Sequence, residues 1–269
     1  MPDPNALLYA LLAILTAGLM VWAISLRRRD VSIVDSLWSM MFLLAAVVYL
    51  LTAPAPGPRA ALVMVMVGIW SIRLFAYITW RNWGEGEDYR YRQIRARNEP
   101  NFAIKSLYLV FGLQGVIAWV ISLPLLVAIH SAAPLGLLDY LGVALWGVGM
   151  IFEAVGDWQL ARFKAVPGNR GKVMDSGLWR YTRHPNYFGN ACIWWGLFLT
   201  ALAAGGWWTV VSPLLMTFLL LRVSGVAMLE KDIADRRPAY RDYMRRTNAF
   251  LPGPPRAAPE TEPGSEART

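Results

Sequence analysis

The sequence predicts an all-α, polytopic integral membrane protein of about seven transmembrane helices. Three observations carry that expectation. The 269-residue chain is 56% hydrophobic and only 16% charged, with 13 Trp, a composition of membrane-spanning chains rather than of soluble domains. Seven apolar runs approach the roughly 20 residues needed to cross a bilayer. The basic residues gather in alternate connections between those runs.

The runs are 6–26, 31–52, 60–80, 106–129, 138–160, 187–204 and 207–222. The first has no basic segment before it and no small-residue cleavage site ahead of Arg27, so it reads as a retained helix and not as a cleaved signal peptide. Arg27 to Arg29 follow it. Arg81, Arg90, Arg92, Arg95, Arg97 and Lys105 follow the third run, and Arg162, Lys164, Arg170, Lys172, Arg180 and Arg183 the fifth. Lys231, Arg236, Arg237, Arg241, Arg245 and Arg246 follow the seventh. The other connections hold only Arg59, at 53–59, and no cation at 130–137 or 205–206. Seven spans put every basic segment on one face. The positive-inside rule makes that face cytoplasmic, with the N-terminus outside and the C-terminus inside. Residues 1–252 then form a single transmembrane domain. Residues 253–269, rich in Pro, Ala, Glu and Gly, form a disordered cytoplasmic tail.

The net charge of +8 follows from this topology, so nucleic acid is not an expected partner. A single cysteine, Cys192, excludes an internal disulfide framework, and with only His130 and His184 a multi-Cys or His-rich metal site is excluded too. No obligatory protein partner is evident. Gly147 and Gly149, inside the fifth run, are expected to permit close helix packing.

Ionisable groups within spans are costly and are functional candidates. Asp35 lies just inside the second run, near Ser36 and Ser39, and Arg73 in the middle of the third. Asp35 and Arg73 form either an ion pair or two walls of one polar cavity. Glu153 and Asp157 are four apart in the fifth run, so they share a helix face. Together they need a basic partner, a ligand or a proton. The segment 77–92, Y-I-T-W-R-N-W-G-E-G-E-D-Y-R-Y-R, alternates aromatic and charged groups. It suits either an interfacial aromatic belt or a loop over a planar, phosphorylated ligand.

The densest polar stretch is Ser176 to Asn190, S-G-L-W-R-Y-T-R-H-P-N-Y-F-G-N. Pro185 opens a helix at its first turn, and His184 before it is extended or turned. Arg180, Arg183 and His184 thus sit at a helix mouth that favours an anion such as a phosphate. Beyond the seventh run, Glu230 and Asp232 precede Pro238, Tyr240 and Tyr243. Arg237, Arg241 and Arg245 make a basic stripe there.

These motifs carry a resemblance. G-L-W-R-Y-T-R-H-P-N-Y at 177–187, with the Glu-x-Asp and Pro-x-Tyr-x-x-Tyr elements at 230–243, resembles the C-terminal domain of steroid 5α-reductases and is similar to the Δ14-sterol reductases. A bacterial group carrying that domain also resembles D-x-x-W at 35–38 and R-N-W-G-x-G-E-D-Y-R-Y at 81–91. Isoprenylcysteine carboxyl methyltransferases share the Arg-His-Pro-x-Tyr core more distantly. The resemblance implies a bacterial inner-membrane reductase whose NADPH enters from the cytoplasm into a cavity built mostly from residues 138–252. It implies cofactor contacts at Asp157, Arg180, Tyr181, Arg183, His184, Asn186, Tyr187, Asn190, Tyr240 and Tyr243, with Arg73 and Arg90 as further candidates. The Gln-Glu pair on the second helix of the steroid enzymes has no counterpart here, where Asp35 and Ser36 are the nearest chemistry.

The expected activity is NADPH-dependent reduction of an activated C=C bond in a lipophilic, steroid-like or isoprenoid substrate. Asp35 and Arg73 are its catalytic candidates, and Asp35, Ser36 and Glu153 its substrate contacts. Arg162, Lys164 and Arg180 supply cations for a 2′-phosphate. Replacing Arg183 by Ala is expected to weaken cofactor binding without unfolding the protein. One alternative is an S-adenosylmethionine-dependent methyltransferase of a lipophilic acceptor. Another is a non-catalytic protein whose partners are membrane lipids.

Overall fold

The computed structural model describes residues 4–223, 225–226, 230 and 239–256, and these are mostly helical with no strand among them. The helices are α1 (Pro4–Arg28), α2 (Ile33–Thr52), α3 (Pro58–Asn82), α4 (Tyr89–Asn98) and α5 (Phe102–Ile121). There follow α6 (Leu123–Ile129), α7 (Leu137–Ala165), α8 (Pro185–Ala203), α9 (Trp207–Val223) and α10 (Ala239–Arg246). Residues expected in the Glu-x-Asp element and the basic stripe, Lys231, Asp232, Arg236 and Arg237 among them, lie outside the described residues, as does the tail from 257 on.

Among the described residues five helices, α1, α2, α3, α5 and α7, are long and apolar enough to cross a membrane. Their outward surfaces are apolar: only 17% of the α1 window is buried, and Leu8, Leu12, Leu19 and Met20 stand exposed. Several such helices make the chain a multi-pass integral membrane protein. The sixth and seventh predicted runs differ in character. α8 has 19 residues, but Asn186 and Asn190 dilute its first turns, and α9 is a shorter apolar helix. The fourth run divides in two. Pro124 opens α6 directly after Ser122 closes α5, because Pro cannot donate to an i−4 carbonyl but fits a helix's first turn.

The chain forms two compact units, one of Met1–Trp146 with Trp194–Met216 and one of Gly147–Ile193 with Thr217–Thr269. In the first unit α2 packs against α1 and α3. Its core carries the fully buried rings of Phe42, Trp70 and Trp194, with centroids 4.5 to 5.6 Å apart. Arg59, the lone cation of its connection, is buried at the start of α3. It meets Asp139 through two hydrogen bonds of 2.7 and 2.8 Å and also donates to Ser131 Oγ and the Pro134 carbonyl. A buried charge needs this degree of satisfaction.

The second unit brings residues 147–165 of α7 against residues 185–193 of α8. A Cβ on Gly149 would lie 2.5 Å from the Gly189 carbonyl oxygen, and one on Gly189 2.5 Å from the Gly149 carbonyl oxygen. The two backbones touch where no side chain intervenes. Gly147 has nothing within 4 Å of its Cβ position, so one glycine of the expected pair makes the contact.

Candidate functional sites

The first unit concentrates polar groups around Asp35. α4 starts where Gly84 and Gly86, both at positive φ, turn the chain out of α3. Asp88 then caps α4 by accepting from the Arg90 N–H at 2.9 Å. This cap aims Arg90 and Tyr91 at α2. Arg90 Nη2 donates to Asp35 Oδ2 at 2.7 Å, and the Tyr91 hydroxyl donates to Asp35 Oδ1 at 2.5 Å. Gln114 Nε2 donates to the Tyr91 oxygen at 3.0 Å. Burial works against the Arg90 charge, but Asp35 and Asp88 outweigh it and raise its pKa. Burial first, then the Asp35 charge, raise that of Tyr91.

Asp35 therefore pairs with Arg90 and not with Arg73. The Arg73 guanidinium lies 5.4 Å from the Tyr77 ring centre, and Ser36 Oγ accepts from Thr79 Oγ1 at 3.1 Å. Tyr91 and Gln114 were not among the residues expected to act. Each had a signal: Tyr91 follows the Asp88 cap, and Gln114 is a polar residue inside an apolar run. The aromatic and charged segment 77–92 also divides. Glu87 and Arg95 pair at 2.7 Å, and Glu87 accepts from the Val31 N–H, while Trp80, Trp83 and Tyr89 stay exposed.

The second unit holds two polar groupings. One is a strip between α7 and α8. Glu153 Oε1 accepts from Asn190 Nδ2 at 3.3 Å, and Asp157 Oδ1 from Asn186 Nδ2 at 3.1 Å. Glu153, Asp157 and Asn190 are buried, and among the described residues Asn190 Oδ1 has no hydrogen-bond partner. The two pairs are four residues apart on both helices, so α7 and α8 meet in register along them.

The other grouping is a clasp around Arg183. Its Nε and Nη2 donate to the two oxygens of Glu230 at 2.7 and 2.8 Å, and Nη1 donates to the carbonyls of Met244 and Thr247. His184 Nε2 lies 2.9 Å from Glu230 Oε1. The Arg183 N–H donates to Asn248 O, Thr182 Oγ1 to Phe250 O, the Gly253 N–H to Tyr181 O, and the Tyr243 hydroxyl to Trp179 O. Burial opposes the Glu230 charge, but hydrogen bonds from His184 and Arg183 hold its pKa at about 2. Tyr240 and Tyr243 are pushed up, chiefly by burial.

This geometry changes the expectation for Arg183. Its donors are engaged by the C-terminal segment, so its loss removes structure as well as charge. Tyr240 and Tyr243 are buried with it, their rings 5.4 Å apart. Arg180 and Tyr181 are exposed, while the Tyr187 ring stacks on His184 at 5.4 Å. Lys164, also exposed, falls on the Asp157 side of α7 at about 100° per residue, whereas Arg162 falls on the opposite side. Among the described residues no group of three His, Cys, Asp or Glu is placed to hold a metal ion.

The helices and buried polar strips define a multi-pass membrane protein with hydrogen-bonding chemistry inside its apolar body. The profile of the family described as a protein of unknown function, DUF1295, matches residues 21–247, and the chain belongs to that family. It is similar to an uncharacterized protein of Schizosaccharomyces pombe, with 23% identity over 280 residues that cover 93% of this chain and 80% of that protein. No solved structure matches it.

Proposed function

We propose that this protein is an NADPH-dependent membrane reductase of an activated C=C bond in a lipophilic substrate. The observation that carries the reading is the strip of Glu153, Asp157, Asn186 and Asn190. Buried carboxylates and amides are expensive in a membrane unless they serve a ligand or one another. Asn190 Oδ1, buried and without a partner among the described residues, fits a donor such as a carboxamide or a ribose hydroxyl, both of which NADPH carries. The resemblance of 177–187 and 230–243 to sterol and steroid reductases supports the same choice.

NADPH, when bound, supplies hydride to the electron-poor carbon. The chain's own residues do the rest. Asp157, Asn186 and Asn190 orient polar groups of the cofactor, and Lys164, Arg180 and Tyr181 meet its phosphates from the exposed side. The clasp of Arg183, His184, Glu230, Tyr240 and Tyr243 holds the loop that presents them. The seven-span topology, with α8 and α9 as its last two spans, the cytoplasmic C-terminus and the bacterial inner membrane belong to the same proposal.

One observation favours a second reading. The strip is acidic, and S-adenosylmethionine is a cation without phosphate, so a methyltransferase also suits Glu153 and Asp157. Titration of NADPH, NADH and S-adenosylmethionine against the detergent-purified protein separates them. NADPH at a hundred times its Kd should stabilise the fold by about 2.7 kcal/mol, and Asn190→Ala should weaken that response. Stabilisation by S-adenosylmethionine alone selects the methyltransferase. No response from a folded protein removes both.

A further inference from the structure

A second feature of α7 is unrelated to the strip. Val148, Ile151, Trp158 and Arg162 are all exposed, and steps of 3, 7 and 4 residues put them on one face. Glu153 and Asp157 lie on the roughly opposite face. The exposed face is aliphatic at Val148 and Ile151 and changes to Trp and Arg near the helix end. From Leu137, about 20 residues cross the hydrocarbon, which brings Trp158 and Arg162 to the headgroup level, where Trp and Arg are favoured.

A pocket of about 300 Å³ opens there, lined by Trp158, Gln159, Arg162, Phe163, Met174 and Ser176. The Arg162 guanidinium lies 5.0 Å from the Trp158 ring centre. Among the described residues no ion pair or hydrogen bond engages it. Gln159 Oε1 accepts from the Leu178 N–H at 3.0 Å, which fixes the loop wall against the helix.

We propose that this pocket binds the headgroup of an anionic phospholipid. The Arg162 guanidinium, held by the Trp158 ring, donates to the phosphate. Gln159 and Ser176 face the polar glycerol, and Phe163 and Met174 cover the first methylenes. The aliphatic continuation of the same stripe meets the acyl chain, which selects a membrane lipid over a phosphate arriving from water. The site does not depend on the reductase reading.

The test uses the full chain in neutral detergent, with dioleoylphosphatidylglycerol or dioleoylphosphatidylcholine added. Bound lipid is counted by native mass spectrometry and the melting temperature followed. Phosphatidylglycerol should bind and raise the melting temperature more than phosphatidylcholine. Arg162→Gln should lose about fivefold in its affinity, whereas Arg28→Gln, at the end of α1, should keep it. Trp158→Leu gives a second variant should Arg162→Gln fold poorly, and it should weaken binding in the same direction. Equal binding of the two lipids overturns the proposal. So does an equal loss in Arg28→Gln, which would mean diffuse charge. Displacement of the lipid by millimolar inorganic phosphate would make the pocket a free-anion site and likewise overturn it.

Discussion

Removing the Arg183 side chain should release the C-terminal segment while leaving the first unit folded. Arg183→Ala deletes a two-point ion pair to Glu230 and two donations to the Met244 and Thr247 carbonyls. It leaves Glu230 without its guanidinium partner, while the His184 contact remains. Breaking a buried pair from one side costs roughly 3–5 kcal/mol, and the two orphaned carbonyls do not lower that figure. At about 1.4 kcal/mol per tenfold, the lower bound predicts local opening about a hundredfold more frequent. Amide hydrogen exchange reads this directly. Peptides covering 239–250 should exchange about a hundredfold faster in the variant, and peptides from α2 and α3 at the unchanged rate. Unaltered exchange at 239–250 would refute the clasp. Uniform acceleration throughout the chain would refute its local character. Arg183→Lys should recover little, because an ammonium cannot match the two-point contact.

Acid should weaken the same clasp. The Glu230 carboxyl lies at about 2 against its ordinary 4.5. Its stabilisation is therefore complete above about pH 4.5 and lost as the pH falls through 2, roughly 3 kcal/mol at most. Pepsin should begin to cut within 239–256 below about pH 4, and Glu230→Gln should be cut with little dependence on pH across that window. In the second unit, Gly189→Ala sets a methyl 2.5 Å from the Gly149 carbonyl oxygen and from the Glu153 nitrogen. Since both are backbone atoms, the helices must part. A fall in melting temperature larger than that of Gly147→Ala, where nothing lies within 4 Å, is the expected result. Arg59→Ala strands a fully buried Asp139 and should cost roughly 3–5 kcal/mol, much of it recovered by the double replacement Arg59→Met with Asp139→Leu. Equal stability of single and double variants would show that the pair is not coupled.

The spanning helices were legible in the sequence because a bilayer imposes one rule, about 20 apolar residues per crossing, and α1, α2, α3 and α7 obey it without interruption. The break at Ser122 was less visible, since the apolar run continues through Pro124 and only backbone geometry marks the boundary. The shared face of Glu153 and Asp157 followed from their spacing. Their meeting with Asn190 and Asn186 did not, because it depends on the contact of Gly149 with Gly189.

The sequence by itself determined which in-span residues are costly to bury, namely Asp35, Arg73, Glu153 and Asp157, and that several segments are long and apolar enough to cross a membrane. Composition and period suffice for that, since they act locally along the chain. Only the tertiary structure decided partners. It gave Asp35 to Arg90 and Tyr91, through a cap that turns α4 toward α2. It committed Arg183 to Glu230 and the 244–248 backbone, and separated Arg162 from Asp157 by half a turn of one helix. Ion pairs and hydrogen bonds act over about 3 Å, and a choice among many cations and carboxylates at that range is made by packing, which no spacing along the chain records.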